Sequence, residues 1–483
     1  MASRRFAQRG HASFPTTVMG SGSSTGWRTP RGLWLAALLA ALALGLYASY
    51  GNSHLPGTAG VAPALIDSAQ ARMDDASRSL PQAARSGLTP VPLTDERLKA
   101  SRPLMGQAEA RLIEIYQLIG QAEHRQALQR AEALVRDHPN FQLAHLVHGD
   151  LLSLQTRPVR RLGDVPDTQA MAAAQQLATL REESSRRLRA LTERPPEGGV
   201  PSQFLTLSPL NRHAIAIDAS RSRLYLFENL ASARSTSDKD RSPRLRLIGD
   251  FYISVGLSGI EKNTEGDKRT PLGVYYITST LNPANLPDLY GVGALPINYP
   301  NPLDVQRGKT GSGIWLHGTP SDQFVRAPLA SDGCVVLSNP DLERLLATVQ
   351  IRTTPVVIAP ELQWVQPEAL VDDRSRFEAV LESWRQARSA GDADGLKGFY
   401  SSRFLNQGRD LAQWWPRVEN ELRTSGSREI QLKDVTVLRW RDQDDTLVVT
   451  FGEVPAGQSR GVTKRQYWTR EQDRWTIFFE GTI

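Results

Sequence analysis

The chain has 483 residues, with 57 Lys and Arg against 51 Asp and Glu, a formal charge of +6. Five of those cations (Arg4, Arg5, Arg9, Arg28 and Arg31) precede residue 33. Without them 52 basic and 51 acidic side chains remain, which excludes the concentrated basic face of a nucleic-acid-binding protein. The one cysteine, Cys334, excludes an intramolecular disulfide, and a single Cys with one His is too small a ligand set for a structural zinc site.

Residues 1–32 carry arginines and no acid, and read as a cytoplasmic tail. Leu33 to Tyr50 is uncharged, rich in Leu and Ala, and long enough to span a hydrocarbon core. Arginines before it and none directly after predict a single-pass signal anchor in an inner membrane, with a periplasmic bulk. No convincing Ala-x-Ala site comes after it, so an uncleaved anchor is favoured over a cleaved, secreted form. Residues 51–95, rich in Ala, Ser, Gly and Pro, read as a linker.

Residues 96–195 are predicted helical. Leu112, Ile115, Tyr116 and Ile119 share one helix face, and Ala127, Leu128, Ala131 and Leu134 share another. The run Ala127…Ala131…Pro139-Asn140-Phe141…Ala144…Gly149 resembles one tetratricopeptide hairpin, with no protein partner readable for it. His145, His148 and Asp150, though spaced like metal ligands, read as packing or solvated residues, and no metal is expected. A further helix is predicted from Thr168 to Leu191, ahead of Pro195-Pro196.

The period then changes from helical to alternating. Short strands are predicted at 213–218, 223–227, 247–255, 273–277, 314–317, 334–337 and 354–358, with Ala231 to Arg244 as an exposed hairpin tip. Asn339 followed by Pro340 reads as an N-cap with Pro at N1, opening a helix through Leu346. These elements define a mainly-β domain over 205–362.

After Pro367 an amphipathic helix is predicted over 374–390, then a Gly-Asp-x-Asp turn, a second helix with Leu396, Phe399 and Tyr400, and four strands. Helices followed by an antiparallel sheet give an α+β cone over 372–483, and the helix–Gly-Asp-x-Asp–Leu-x-x-Phe-Tyr run resembles nuclear-transport-factor-like (SnoaL-like) domains. Trp414, Trp415, Trp440, Trp468 and Trp475 read as its core. The whole is a multidomain protein: a transmembrane helix, an α-helical hairpin region, a mainly-β domain and an α+β cone.

Cys334 is either an inert buried thiol or a nucleophile. It stands in Ser331-Asp332-Gly333-Cys334-Val335-Val336-Leu337, and His317 precedes that heptapeptide in Gly313-Ile314-Trp315-Leu316-His317-Gly318-Thr319. A thiol attacks a carbonyl as thiolate, and histidine is the usual group to take its proton and later return it. His317 ends a predicted strand before a glycine, where a side chain can face a cleft, whereas His213 reads as a structural strand-edge position. Gly333 allows close backbone approach, so the amides of Asp332 to Cys334 can serve as an oxyanion hole shaped by Ser331.

These residues resemble the active-site pattern of YkuD-type L,D-transpeptidases, His317-Gly318 followed by Ser331-x-Gly333-Cys334. Lys262 to Tyr275, containing Gly266-Asp267-Lys268-Arg269-Thr270-Pro271-Leu272-Gly273-Val274-Tyr275, extends the resemblance upstream. Asn298-Tyr299-Pro300-Asn301 and Lys309-Thr310-Gly311 match the murein-associated YafK branch. The resemblance implies a β-sandwich-like domain acting on peptidoglycan stem peptides without a cofactor, with Cys334 as nucleophile and His317 as general base and acid. Tyr299, Gly318 and Thr319 are expected to bind substrate. Attack on the carbonyl of the third stem residue would expel D-Ala and leave a thioester. Two positions depart from the commoner pattern: Asp332, expected to point away, stands for a His, and Val336 for an Arg that would offer a donor to a substrate carboxylate. Transpeptidation therefore stands beside two alternatives, an L,D-carboxypeptidase or an amidase releasing wall-linked lipoprotein, and a scaffold with an idle site.

Overall fold

A computed structural model of the chain describes residues 104–165, 167–231 and 243–483. The tail, the run Leu33 to Tyr50 and the linker lie outside these residues, as does most of the tip between Ala231 and Arg244. Among the described residues no helix is long and apolar enough to cross a membrane.

The first five helices are α1 (Gln107–Gly120), α2 (His124–Asp137), α3 (Gln142–Ser153), α4 (Asp167–Ala172) and α5 (Ala174–Thr192). Leu112 and Ile115 of α1, Ala127, Ala131 and Leu134 of α2, and Leu143, Ala144 and Val147 of α3 form one buried cluster. The alanines let the helices approach closely, and apolar residues three and four apart present a single stripe. Buried charge ties these helices to the mainly-β region. Glu109 Oε1 accepts from Arg223 Nη1 and from Arg187 Nη1, each at 2.8 Å, while Arg223 Nε donates to Asp250 at 2.7 Å. Burial pushes the Glu109 carboxyl up, but the two guanidinium groups outweigh it and hold it below its ordinary range.

The mainly-β region contains β1 (Val200–Pro201), β2 (Phe204–Thr206), β3 (His213–Asp218), β4 (Arg223–Asn229), β5 (Leu245–Tyr252), β6 (Val255–Gly256), β7 (Gly273–Tyr276) and β8 (Ala294–Pro296). After α6 (Pro302–Gln306) come β9 (Trp315–His317), β10 (Leu329–Ser331), β11 (Val335–Val336), α7 (Asn339–Thr348), β12 (Pro355–Ala359) and β13 (Trp364–Val365). Five strands make a sheet in the order β5-β4-β3-β12-β7, three make a second in the order β11-β9-β8, and β10 pairs with β6. Ile215, Ile217 and Ile358 of the first sheet meet Leu295, Leu316 and Val335 of the second and Leu342 and Leu345 of α7 in one core. Alternate residues of the same strands, Ala214, Ala216 and Val357, are buried on the other face. Burial on both faces is why these strands read as continuous apolar runs.

The C-terminal region has α8 (Val371–Ala390), α9 (Ala393–Lys397), β14 (Leu405–Asn406), β15 (Arg409–Asp410), α10 (Leu411–Ser425) and strands β16 (Ile430–Arg441), β17 (Asp445–Pro455), β18 (Val462–Glu471) and β19 (Arg474–Thr482). The last four form an antiparallel sheet curled over the helices, around Phe377, Trp384, Trp414, Trp415 and Trp468. Its other face supplies Leu438, Trp440, Val448 and Tyr467 to the core shared with β3 and β12, so the two sheets pack face to face.

Phe204–Thr206 pairs with β16, and Phe204 is fully buried in the apolar seam between the two sheets. Two local expectations are corrected. Helix α7 is capped by Ser338, whose side chain accepts from the Asp341 amide, and not by Asn339, whose side chain is drawn to the loop after β9. Helix α10 has no counterpart among the predicted elements, because Pro416 interrupts its pattern. Asp410 opens it with a capping box to Gln413.

Candidate active site

His317 closes β9, and Cys334 stands one residue before β11. The two strands are parallel, with Val336 opposite His317 and Val335 opposite Leu316. Directly opposed residues share a face, and so do residues two apart on one strand, so strand alternation carried one residue beyond β11 assigns Cys334 to the face of His317. Their backbones are offset by two residues, about 6–7 Å along neighbouring strands about 4.8 Å apart.

The hydrogen bonds of each side chain run to backbone. His317 is buried, and its Nδ1 lies 2.7 Å from the Gly318 carbonyl. A carbonyl only accepts, so Nδ1 carries the proton of the neutral ring and Nε2 is left with its lone pair. Burial drives the imidazole pKa down to about 4, with Arg326 adding to the shift and the Gly318 bond opposing it. The half-buried Cys334 Sγ donates to the Gly313 carbonyl at 3.6 Å. Burial raises the thiol pKa above its ordinary 9.0, against the Trp315 amide and the Arg326 charge, which favour the thiolate. These directions leave the thiol and the imidazole both neutral near pH 7. Tyr290 walls this face, its ring 5.0 Å from His317 and edge-on to it, and 4.8 Å from Trp315.

The turn before the thiol is built by three residues. Ser331 Oγ donates to the Cys334 carbonyl at 2.6 Å and accepts from the Gly333 amide at 3.1 Å. Gly333 has φ +122, and a Cβ there would sit 2.7 Å from the Arg269 carbonyl. Thr270, fully buried, donates to the Gly333 carbonyl at 2.9 Å and accepts from the Gly256 amide at 2.9 Å. The Gly333 amide is therefore engaged by Ser331 within the turn. Among the described residues the amides of Asp332 and Cys334 make no backbone hydrogen bond outside the strand ladders. Asp332 points outward, its side chain 85% exposed and 3.6 Å from Lys268 Nζ.

The three residues expected to bind substrate make contacts within the fold. Tyr299 is buried in the core and donates to the Thr310 carbonyl at 3.1 Å. Thr319 is fully buried, and its hydroxyl donates to the Gln323 carbonyl at 2.8 Å. Gly318 holds His317 through its carbonyl, and a Cβ there would meet Asn339 Oδ1 at 2.0 Å. That Asn339 oxygen accepts from the Thr319 amide at 3.1 Å, and its Nδ2 donates to the Thr319 carbonyl at 2.9 Å, so it fixes the chain leaving His317. Burial turns these residues inward, which the motif alone does not reveal. Upstream, burial raises the Asp267 carboxyl, but Lys262 Nζ at 2.9 Å and three backbone amides hold it well below the usual carboxylate range, pinning that turn. His213, at the far end of β3, meets Gln350 Oε1 at 3.1 Å.

Three further residues border the site without having been singled out by the sequence. Thr270 is visible within a motif, but its role depends on long-range packing. Tyr290 ends a short 3-10 turn, Asp288–Tyr290, and Arg326 lies in a loop, with no pattern to distinguish either.

Residues 212–358 match the YkuD L,D-transpeptidase catalytic domain, and residues 376–481 match the Cds6 C-terminal NTF2-like domain. Among solved structures, Bd1075 of Bdellovibrio bacteriovorus is similar at 24% identity and a TM-score of 0.48, covering 59% of this chain and 98% of that one. The helical cell shape determining protein Pgp2 of Campylobacter jejuni is similar at 22% identity and a TM-score of 0.45, covering 59% of this chain and 96% of that one. No curated protein matches.

Proposed function

We propose that this chain, whose residues 212–358 are a YkuD L,D-transpeptidase catalytic domain and whose residues 376–481 are an NTF2-like domain, is a cysteine acyltransferase of peptidoglycan stem peptides. The observation that supports the reading is the parallel pairing of β9 with β11, which brings the backbones of Cys334 and His317 onto neighbouring strands, with the Nδ1 proton held by the Gly318 carbonyl. In the proposed reaction Sγ bonds to the carbonyl carbon of the third stem residue as its proton passes to His317 Nε2. The amides of Asp332 and Cys334 receive the developing oxyanion. The C–N bond to D-Ala then breaks, and the departing amine takes the proton from Nε2, leaving a thioester. An acceptor amine would resolve the thioester to a crosslink, and water would resolve it to a tripeptide. The same attack on the bond joining a stem to an outer-membrane lipoprotein would release that lipoprotein.

Hydrolysis is the second reading. It is favoured by Val336, which is apolar and 2% exposed where the commoner pattern has Arg. We further propose that Leu33 to Tyr50 anchors the chain in a membrane, with the folded part on the wall side. Incubating the full chain with purified sacculi and analysing the products by mass spectrometry tests these readings together. Crosslinked stems indicate a transpeptidase, tripeptides a carboxypeptidase, and freed lipoprotein an amidase. If Cys334→Ala yields the same products as the parent, the catalytic reading fails; if neither processes the wall, a scaffold replaces it.

A further inference from the structure

Arg326 lies in the loop between β9 and β10, downstream of His317. Among the described residues no carboxylate pairs with its guanidinium. Nη2 makes one long hydrogen bond, 3.4 Å, to the carbonyl of Leu289, the neighbour of the Tyr290 ring that stands against His317. The backbone of Arg326 is held: its carbonyl accepts from the Tyr252 hydroxyl at 3.1 Å, and the Tyr252 ring lies 3.9 Å beneath the buried Arg187 guanidinium. Two residues earlier Phe324 is buried in the helical cluster. The Arg326 side chain is half-buried, so its charge has lost part of its hydration without gaining an anion. Asp332, the acid acting on it, is exposed and pairs with Lys268. The charge reaches both reacting side chains, opposing protonation of His317 and favouring the Cys334 thiolate.

Resting on the stem-peptide reading, we propose that Arg326 is the carboxylate anchor of this site, forking onto a free carboxylate of the stem next to the scissile carbonyl. It supplies from the β9–β10 loop the cation that Val336 does not. A guanidinium offers five N–H donors, and one bond to Leu289 leaves most of the fork unused. Two carboxylates of a tetrapeptide stem lie close enough to the bond: the side-chain carboxylate of the diamino acid and the terminal carboxylate of the leaving residue.

The test uses the full chain and three synthetic stems: one with both carboxylates free, one amidated at the diamino acid, and one amidated at the leaving residue. Arg326→Gln is expected to raise KM for the free stem by about ten- to a hundredfold, the range for a lost charge-assisted hydrogen bond, with a smaller effect on kcat. The parent is expected to reject one amidated stem by a similar factor, which identifies the carboxylate bound, and Arg326→Gln to lose that discrimination. Arg326→Lys, which keeps the charge but not the fork, is expected in between. Unchanged KM, or discrimination retained in Arg326→Gln, overturns the proposal. A parent that turns over none of the stems overturns the reaction instead, so binding is measured separately by calorimetry in the Cys334→Ala background. There, equal affinity with and without Arg326→Gln overturns the anchor, and no affinity in either overturns both.

Discussion

Phe324, from the loop after His317, stacks on Phe141 of the helical region with ring centroids 4.5 Å apart and planes tilted by 30°. His138 flanks the same ring at 5.0 Å, and the Phe324 amide donates to the Asn140 carbonyl at 3.2 Å. The helical region therefore holds one wall of the candidate site. Phe324→Ala is expected to cost about 3 kcal/mol of stability, in the range for a buried Phe truncated to Ala. It is also expected to raise KM for stem substrates by releasing the segment that carries Arg326. Phe324→Leu should recover most of both. Denaturant midpoints and steady-state kinetics on the same samples check this, and a destabilised variant with unaltered KM would separate the loop from the site.

Thr270 is the second support, and its test is chemical. Its hydroxyl donates to the Gly333 carbonyl and accepts from the Gly256 amide, both at 2.9 Å and out of contact with solvent. Thr270→Val preserves shape while leaving two buried backbone groups unpaired, at about 1–3 kcal/mol each. The turn presenting Cys334 should loosen, so kcat should fall more than KM rises, and Thr270→Ser should restore it. Equal kcat for Thr270→Val and the parent would mean that Ser331 and Gly333 hold the turn unaided.

The buried charges between α1, α5 and the first sheet predict an asymmetry between two kinds of substitution. Arg223 is fully buried between Glu109 and Asp250, so Arg223→Met leaves Asp250 without that guanidinium and Glu109 with Arg187 alone, at about 3–5 kcal/mol. Replacing Glu109, Arg223 and Asp250 together by apolar residues of similar volume should cost less than Arg223→Met alone. Urea unfolding of the two variants measures the difference. If the triple replacement is the worse of the two, these charges are needed for specificity as well as for mutual neutralisation.

What could be read in the sequence depended on distance along the chain. The turn Ser331 to Cys334 and the strand ending at His317 were legible because each is a contiguous run whose glycines and apolar alternation have local causes. Ile215, Ile217 and Ile358 were likewise recognisable as core from their runs. A motif fixes neither burial nor direction, so nothing local showed that Thr319 and Tyr299 turn into the fold. Arg326 was illegible because its placement depends on β9, β10 and the segment at Leu289 converging, and the strand at Phe204 was illegible because its partner Leu438 lies over 230 residues away. Asn339 showed a real helix start but hid its use: its amide is spent on Thr319, and the neighbouring Ser338 caps.

Ionisation of the reacting pair gives the last prediction. Burial holds the His317 pKa at about 4, so the neutral imidazole persists well below the usual pH 6.5. Burial also lifts the Cys334 thiol above its ordinary 9.0, so thiolate accumulates only beyond that pH. Between these limits no preformed thiolate–imidazolium pair exists, and the proton must move during attack. Iodoacetamide labelling of Cys334 should therefore climb about tenfold per pH unit through pH 7 to 9, with no plateau near neutrality. His317→Ala should leave that labelling profile nearly unchanged while abolishing acyl transfer, since the ring acts as a base and not as a counter-charge. The same shift has a stability consequence. The unfolded chain takes up a proton near pH 6.5 that the folded chain refuses until about 4, so folding stability falls by roughly 3 kcal/mol across that window. His317→Ala should flatten that loss. A labelling plateau below pH 7 would instead mean that the thiol is ionised at rest, and that its burial is offset by charge from Arg326 and Lys262.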